Sequence, residues 1–241
     1  FVDCPLQTVN LNRQLEYAMT SEEFDEDYVP FAKKSLGNGV TLGEQVHTLL
    51  PYMFYNSGIT SLTIPNTVET IKEYAFEDCE NLSTVNIVDG NNPLIIESVN
   101  ISPFYQSPLT NIHLGREIKG VGGNDYSPAS SATGFFCTEK YDDVDGVIAT
   151  ISDNVQTISP YMFANLKLKS ITIPASVTFL RINAFIGCEY LNTIVFKDGS
   201  TPLQVSCQRT ASDRGPFYQS PLTSITLGRE ISYCYDGIDG F

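Results

Sequence analysis

Residues Ile59 to Ile87, ITSLTIPNTVETIKEYAFEDCENLSTVNI, return at Leu168 to Phe196 as LKSITIPASVTFLRINAFIGCEYLNTIVF. The offset is constant: Val68 meets Val177, Phe76 meets Phe185 and Cys79 meets Cys188, each 109 residues later. A shorter period lies inside each copy, since Ile59-x-x-Leu62-x-Ile64 recurs as Leu82-x-x-Val85-x-Ile87. Self-similarity at two periods restricts the chain to a stacked array, in which each unit buries its apolar side against its neighbours.

Phenylalanines mark the units: Phe1, Phe31, Phe54, Phe76, Phe104, Phe136, Phe163, Phe185, Phe217 and Phe241. Their intervals alternate between 22 or 23 and a looser 24 to 32 residues, as turns of constant length with inserted loops would give. About nine solenoid turns follow. The expectation is one solenoid over residues 1–241, with large units 1–103 and 104–216 and a partial unit 217–241. FVDCPLQTVNLNRQL at the start aligns without gaps on FYQSPLTNIHLGREI at Phe104 and FYQSPLTSITLGREI at Phe217. The chain therefore reads as a segment of a longer array, with any targeting signal or anchor outside it.

Each turn carries a segment of the form L-x-[STN]-[VIL]-x-[ILF], seen at Leu6–Leu11, Ile59–Ile64, Leu82–Ile87, Leu109–Leu114, Leu168–Ile173, Leu191–Phe196 and Leu222–Leu227. Apolar and polar residues alternate, the period of a half-buried strand, and repeated strands one turn apart build a parallel sheet. Pro65 and Pro174 end two of these strands, having no N–H to give the ladder. Ala75-Phe76-x-x-Cys79-x-x-Leu82 and Ala184-Phe185-x-x-Cys188-x-x-Leu191 space apolar residues three or four apart, which predicts short helical turns against the core. Val88–Ser102 and Lys197–Gly215 open with Asp-Gly and are expected to leave the solenoid as hairpins. Glu16–Pro30 and Lys119–Gly134 are expected to be loops.

With 28 acidic and 14 basic residues the net charge is −14, a field that repels phosphate backbones and anionic membranes. No apolar run approaches the roughly 20 residues of a membrane span. The six cysteines do not form a disulfide framework by position. Cys79 and Cys188 hold one repeat site and read as small buried residues, Cys4 aligns with Ser107 and Ser220, and Cys137, Cys207 and Cys234 fall in variable segments.

The consensus L-x-S-I-T-I-P-x-S-V-x-x-I-x-x-x-A-F-x-x-C-x-x-L resembles the BspA-like leucine-rich repeats, also called the Treponema pallidum type. Ile59–Leu82 and Leu168–Leu191 match it nearly position by position, while residues 119–145 and 203–215 depart from it. The P-F-x-x-S-P-L-T-x-I-x-L-G-R-E-I segments look like a variant found in surface proteins of Bacteroides-type bacteria. The resemblance implies an α/β, β-rich leucine-rich-repeat solenoid, right-handed, on a cell surface or secreted, and some members act as adhesins. The motif is a packing motif, so no ligand transfers with it.

For chemistry the chain offers little. Only His47 and His113 could serve as a base, and neither repeat supplies an evident nucleophile or carboxylate companion. Asp142–Gly146 and Asp236–Gly240 echo a calcium loop without its alternating ligands, and Glu22–Asp27 reads as a solvated acidic loop. Gly120-Val121-Gly122-Gly123 opens no helix and reads as a turn rather than a phosphate cradle. No cofactor, metal or catalytic site is expected.

The outward strand positions form a nearly uncharged set: Thr8 and Asn10, Ser61 and Thr63, Thr84 and Asn86, Asn111 and His113, Ser170 and Thr172, Thr193 and Val195, Ser224 and Thr226. Small hydroxyls and amides suit sugar or backbone contacts, although Ser and Thr also populate exposed sheets for their own sake. The expected function is a monomeric, non-enzymatic, adhesin-like module that binds a protein or glycan of host or neighbouring cells. The competing expectation is a structural spacer.

Overall fold

The computed structural model describes residues 1, 4–17, 25, 29–97, 102–120, 122, 134–136, 146–207 and 215–235. Seventeen strands follow one another among them. They begin β1 (Val9–Leu11), β2 (Val40–Leu42), β3 (Thr48–Leu49), β4 (Ser61–Ile64), β5 (Thr70–Lys72), β6 (Thr84–Ile87), β7 (Leu94–Glu97), β8 (Asn111–Leu114) and β9 (Ile118–Gly120). They continue β10 (Ile148–Ile151), β11 (Thr157–Ile158), β12 (Ser170–Ile173), β13 (Phe179–Leu180), β14 (Thr193–Phe196), β15 (Leu203–Cys207), β16 (Ser224–Leu227) and β17 (Ile231–Tyr235). Every pairing between them is parallel, so successive turns climb in one direction.

The turns have two stranded sides. The first carries β1-β2, then β4-β6-β8-β10, then β12-β14-β16; the second carries β3-β5-β7-β9 and β11-β13-β15-β17. Strands of the first side point every second residue inward, burying Leu62 and Ile64, Val85 and Ile87, Ile112 and Leu114, Ile171 and Ile173. Each turn then bends, at P-x-x-V in Pro65–Val68 and Pro174–Val177, and buries Leu49, Ile71, Leu94, Ile118, Ile158, Leu180 or Leu203 from the second side.

Phenylalanines close the third side. Phe1, Phe31, Phe54, Phe76, Phe104, Phe136, Phe163, Phe185 and Phe217 stack in one column, with centroids 5.1 to 6.0 Å apart. The planes of consecutive rings lie within 22° of parallel. These are aromatic contacts at favourable separations, repeated once per turn.

Two expectations need correction. The short helical turns do not form: no α-helix occurs among the described residues, and the phenylalanine segments are successions of tight turns. The residue two after the phenylalanine lies in the left-handed region at Lys33, Asn56, Asp78, Gln106, Asn165, Gly187 and Gln219. A left-handed residue each turn interrupts a right-handed helix before it can propagate. The backbone bonds instead to the next turn, as in Phe54 N–H to Ala75 O at 2.9 Å and Phe76 N–H to Pro103 O at 2.9 Å. Local i to i+3 turns, such as Glu77 N–H to Tyr74 O, produce the same three-to-four spacing of apolar residues that a helix would.

The hairpin insertions are the second correction. Within Val88–Ser102 the chain bends at Asn91-Asn92, and Leu94–Glu97 then runs parallel to β5 and β9 rather than back along β6. Leu203–Cys207 does the same between β13 and β17. The insertions thus contain ordinary rungs of the second side, and their remaining residues, 98–101 and 208–214, lie outside the described set. Lys119–Gly134, read as a loop, likewise begins inside β9. No helix among the described residues is long and apolar enough to cross a membrane.

Candidate functional site

Parallel in-register pairing turns the outward residues of the first side into two rows. One row runs Ser61, Thr84, Asn111, Ile148; the other runs Thr63, Asn86, His113, Thr150. In the upper sheet the rows are Ser170, Thr193, Ser224 and Thr172, Val195, Thr226. Asn10 pairs with Thr41 in the lowest sheet. All twelve residues expected at the binding stripe therefore stand on one side, exposed or half-buried. Sequence reasoning missed Thr41, Ile148 and Thr150, because β2 and β10 lack the leading leucine of the strand pattern.

His113 has companions the sequence did not reveal. Its Nε2 lies 2.8 Å from Asp89 Oδ1 and its Nδ1 lies 2.8 Å from Thr150 Oγ1. Asp89 follows β6, His113 sits on β8 and Thr150 on β10, so three successive rungs are joined by one line of hydrogen bonds. With neutral imidazole, Nε2–H donates to the carboxylate and the Thr150 hydroxyl donates to Nδ1. With imidazolium, Nδ1–H donates to Thr150, whose hydroxyl can turn to the Ile112 carbonyl at 3.4 Å. The order carboxylate, imidazole, hydroxyl is that of a hydrolase triad, but the line lies open to water, with the Asp89 side chain 59% and that of His113 34% exposed. His47 is bound locally, its Nδ1 3.0 Å from the Thr67 carbonyl oxygen.

The first side is interrupted twice. β2 meets the next rung only through a bridge from Gly37 to Ile59, and β10 meets β12 only through a bridge from Val147 to Leu168. The two breaks occupy equivalent places in the two large units. At the second, the strands part into an open cleft of about 570 Å³, lined by Gly146–Ile151, Lys169–Thr172, Pro174 and Lys197.

No group of His, Cys, Asp or Glu among the described residues could hold a metal ion. The acidic sequences at 142–145 and 236–240 lie outside the described set, as does all of Glu22–Asp27 except Asp25. Of the described cysteines, Cys4, Cys79 and Cys188 are free thiols.

The model of the BspA-type leucine-rich repeat region matches residues 31–146 and 147–238, in six copies. The chain belongs to that family. No curated protein matches it significantly. Among solved structures it is similar to a leucine-rich cell surface protein of Faecalibacterium prausnitzii A2-165, at 19% identity and a TM-score of 0.34. That alignment covers 86% of this chain and 58% of the other.

The recurring letters of the BspA-type repeat here do packing work. The residue three after four of the phenylalanines donates to the phenylalanine carbonyl one turn earlier: Cys79 to Phe54, Ser107 to Phe76, Cys188 to Phe163 and Ser220 to Phe185, at 2.8 to 3.1 Å. Burial pushes the thiols of Cys79 and Cys188 up to about 12, so they remain protonated donors. In L-G-R-E-I, Gly115 passes so close to the preceding turn that a Cβ would collide with the Ile87 carbonyl oxygen. Arg116 and Arg229 reach two turns back to carbonyls of the P-x-x-V bend. Glu117 accepts from the backbone N–H groups of Gln156 and Thr157 in the next turn, as Gln14 does from His47 and Thr48.

Proposed function

We propose that this BspA-type chain is a non-enzymatic interaction module of a bacterial surface or secreted protein, adhesin-like, that holds a protein or glycan of host or neighbouring cells against its first side. The observation that carries the reading is the pair of in-register rows. They present hydroxyls and amides at Ser61, Thr63, Thr84, Asn86, Asn111, Ser170, Thr172, Thr193, Ser224 and Thr226, with His113 among them. A parallel ladder spaces such groups about 4.8 Å apart along a stiff axis, which suits an extended ligand. The packing letters are spent inside the solenoid, so the outward rows are where the sequence is free to recognise.

The test is binding to arrays of matrix proteins and glycans, followed by substitution. Replacing Thr63, Asn86 and His113 together with Lys abolishes binding while leaving the unfolding transition in place. Retained binding in the folded triple variant overturns the stripe.

A further inference from the structure

We infer that the tyrosine cluster around Glu77, on the third side, is a docking site for an arginine side chain of a basic partner segment. The site lies away from the first-side rows and stands independently of them. Three observations carry it.

The first is where the groups sit. Asn56 N–H donates to Glu77 O at 2.8 Å and Asp78 N–H to Tyr105 O at 3.0 Å, so Tyr55, Glu77 and Tyr105 form one row on three successive rungs. A neighbouring row, two positions before each phenylalanine, carries Tyr52 and Tyr74 on the rungs of Tyr55 and Glu77. The rings of Tyr52 and Tyr74 stack at 4.6 Å and 5°, and Tyr55 meets Tyr52 edge-on at 6.1 Å. With Val29 and Ala32 these tyrosines make a small apolar cluster separate from the main core. Tyr55, Tyr74, Glu77 and Tyr105 are only half-buried, so solvent reaches the cluster.

The second is an unmatched charge. Among the described residues no hydrogen bond or ion pair reaches the Glu77 carboxylate. Burial, reinforced by Asp78, raises that carboxyl to about 7, and burial followed by the charges of Glu73 and Glu77 raises the Tyr74 phenol. The charges acting on Glu77, Tyr52 and Tyr74 are all negative. Lys33 lies on the rung below Tyr55 and is not among the charges acting on Glu77. Lys72 is engaged with Glu97 at 3.2 Å on the second side. The sequence on either side of the cluster, 18–28 and 98–101, contains no lysine or arginine.

The third is a comparison within the molecule. At the equivalent places 109 residues on, Tyr52 is kept as Tyr161, but Tyr55, Glu73, Tyr74, Glu77 and Asp78 become Ala164, Ile182, Asn183, Ile186 and Gly187. There the surface is closed on itself. Ala164, Asn183 and Ile186 are buried, and the Asn183 amide donates to the Tyr161 hydroxyl at 3.0 Å. Packing the solenoid thus needs neither the extra rings nor the carboxylates. A half-buried carboxylate without a partner costs stability, and groups perturbed in this way collect at functional sites.

Guanidinium chemistry meets these groups together. Its plane stacks on tyrosine faces while its N–H fork pairs with a carboxylate. A quaternary ammonium would use the rings and leave Glu77 without a hydrogen bond. A lysine ammonium is more strongly hydrated and has no plane to stack.

The experiment is fluorescence anisotropy with the whole 241-residue chain at pH 8, where Glu77 is ionised. The probe is a labelled peptide, Ser-Gly-Arg-Gly-Arg-Gly-Ser. Comparators of equal charge replace both arginines by lysine or by trimethyllysine. Saturable binding of the arginine peptide is expected, about fivefold tighter than either comparator. Glu77→Gln weakens it about tenfold, the worth of a charged hydrogen bond, and Tyr74→Leu about fivefold, each with a cooperative melting transition retained. Glu189→Gln removes an equal charge from an exposed place in the second unit and changes binding by less than about twofold. Absence of saturable binding, a comparator that binds as tightly, or a Glu77→Gln effect no larger than that of Glu189→Gln overturns the inference.

Discussion

Arg116 Nη2 donates to the Val68 carbonyl at 2.7 Å, across two turns of the solenoid. The same nitrogen donates to the Pro65 carbonyl at 3.0 Å, and the side chain has no exposure to solvent. Burial lowers the guanidinium below its ordinary pKa, opposed in part by the Glu69 carboxylate. Arg229 repeats the arrangement on Pro174 and Ala175. A charged group with its hydrogen bonds fixed this way ties the bend of one turn to the strand end of another.

Replacing Arg116 with Met removes these bonds and leaves buried carbonyls without donors. The expected loss is about 3 kcal/mol, the scale of charged hydrogen bonds plus unsatisfied acceptors. Arg116→Lys recovers only part of it, because an ammonium cannot span the same carbonyls as a planar fork. Denaturant unfolding of the two variants checks this, and a Met variant as stable as the parent refutes it.

Phe76→Ala and Phe185→Ala each cost about 3–5 kcal/mol, the loss for truncating a buried aromatic. Both rings are fully buried and stacked on both sides, Phe76 at 5.3 and 5.4 Å and Phe185 at 5.1 and 5.4 Å. A loss below about 1 kcal/mol would mean that neighbouring turns collapse into the space.

The strands and the phenylalanine column were legible in the sequence because each depends on a residue type repeated at one site. The second stranded side was not, since a rung such as Thr48–Leu49 or Phe179–Leu180 buries a single residue and leaves no alternation to read. The helix expectation failed for a related reason. Ala75, Phe76, Cys79 and Leu82 have helical spacing, yet Tyr74 and Asp78 take left-handed φ of 59° and 56°. The asparagines at positions 56 and 165 and the glycine at 187 carried that signal, but Lys33 and Gln106 at the same place hid it. Asp89 and Thr150 could not be assigned to His113 because they lie 24 and 37 residues from it in sequence.

Cys79→Ser should cost little and Cys79→Ala about 1 kcal/mol, the net worth of one buried hydrogen bond. The argument is internal: Ser107 and Ser220 already make the bond that Cys79 and Cys188 make. Thermal unfolding of the two variants side by side decides it. Equal loss in both would show that sulfur contributes by volume rather than by its proton.

Burial, reinforced by the neighbouring Asp78 charge, raises the Glu77 carboxyl from 4.5 to about 7. The folded chain therefore holds a proton that the unfolded chain releases at a lower pH. The contribution to stability is full below about 4.5 and is lost as pH rises through about 7. Glu77→Gln should raise the melting temperature at pH 8 and change it little at pH 4, flattening the profile between them. An unchanged slope would place the carboxyl in water.

The line Asp89–His113–Thr150 makes the last prediction, since it has the order of a catalytic triad. Acyl transfer by such a line needs a tetrahedral oxyanion met by fixed donors in a water-poor site, and that electrostatic preorganisation is usually the largest contribution. Here the carboxylate and imidazole are substantially exposed, so solvent screens the field that would stabilise an imidazolium. The expected role is mechanical, joining the rungs of β6, β8 and β10 on the first side. His113→Gln and Thr150→Val should each lower stability by about 1 kcal/mol or less, as exposed hydrogen bonds do. Neither should change the slow hydrolysis of p-nitrophenyl acetate beyond what a free imidazole gives. A rate that collapses in Thr150→Val, with an acyl adduct on Thr150 in the parent by mass spectrometry, would make this line a nucleophilic site and the solenoid an enzyme.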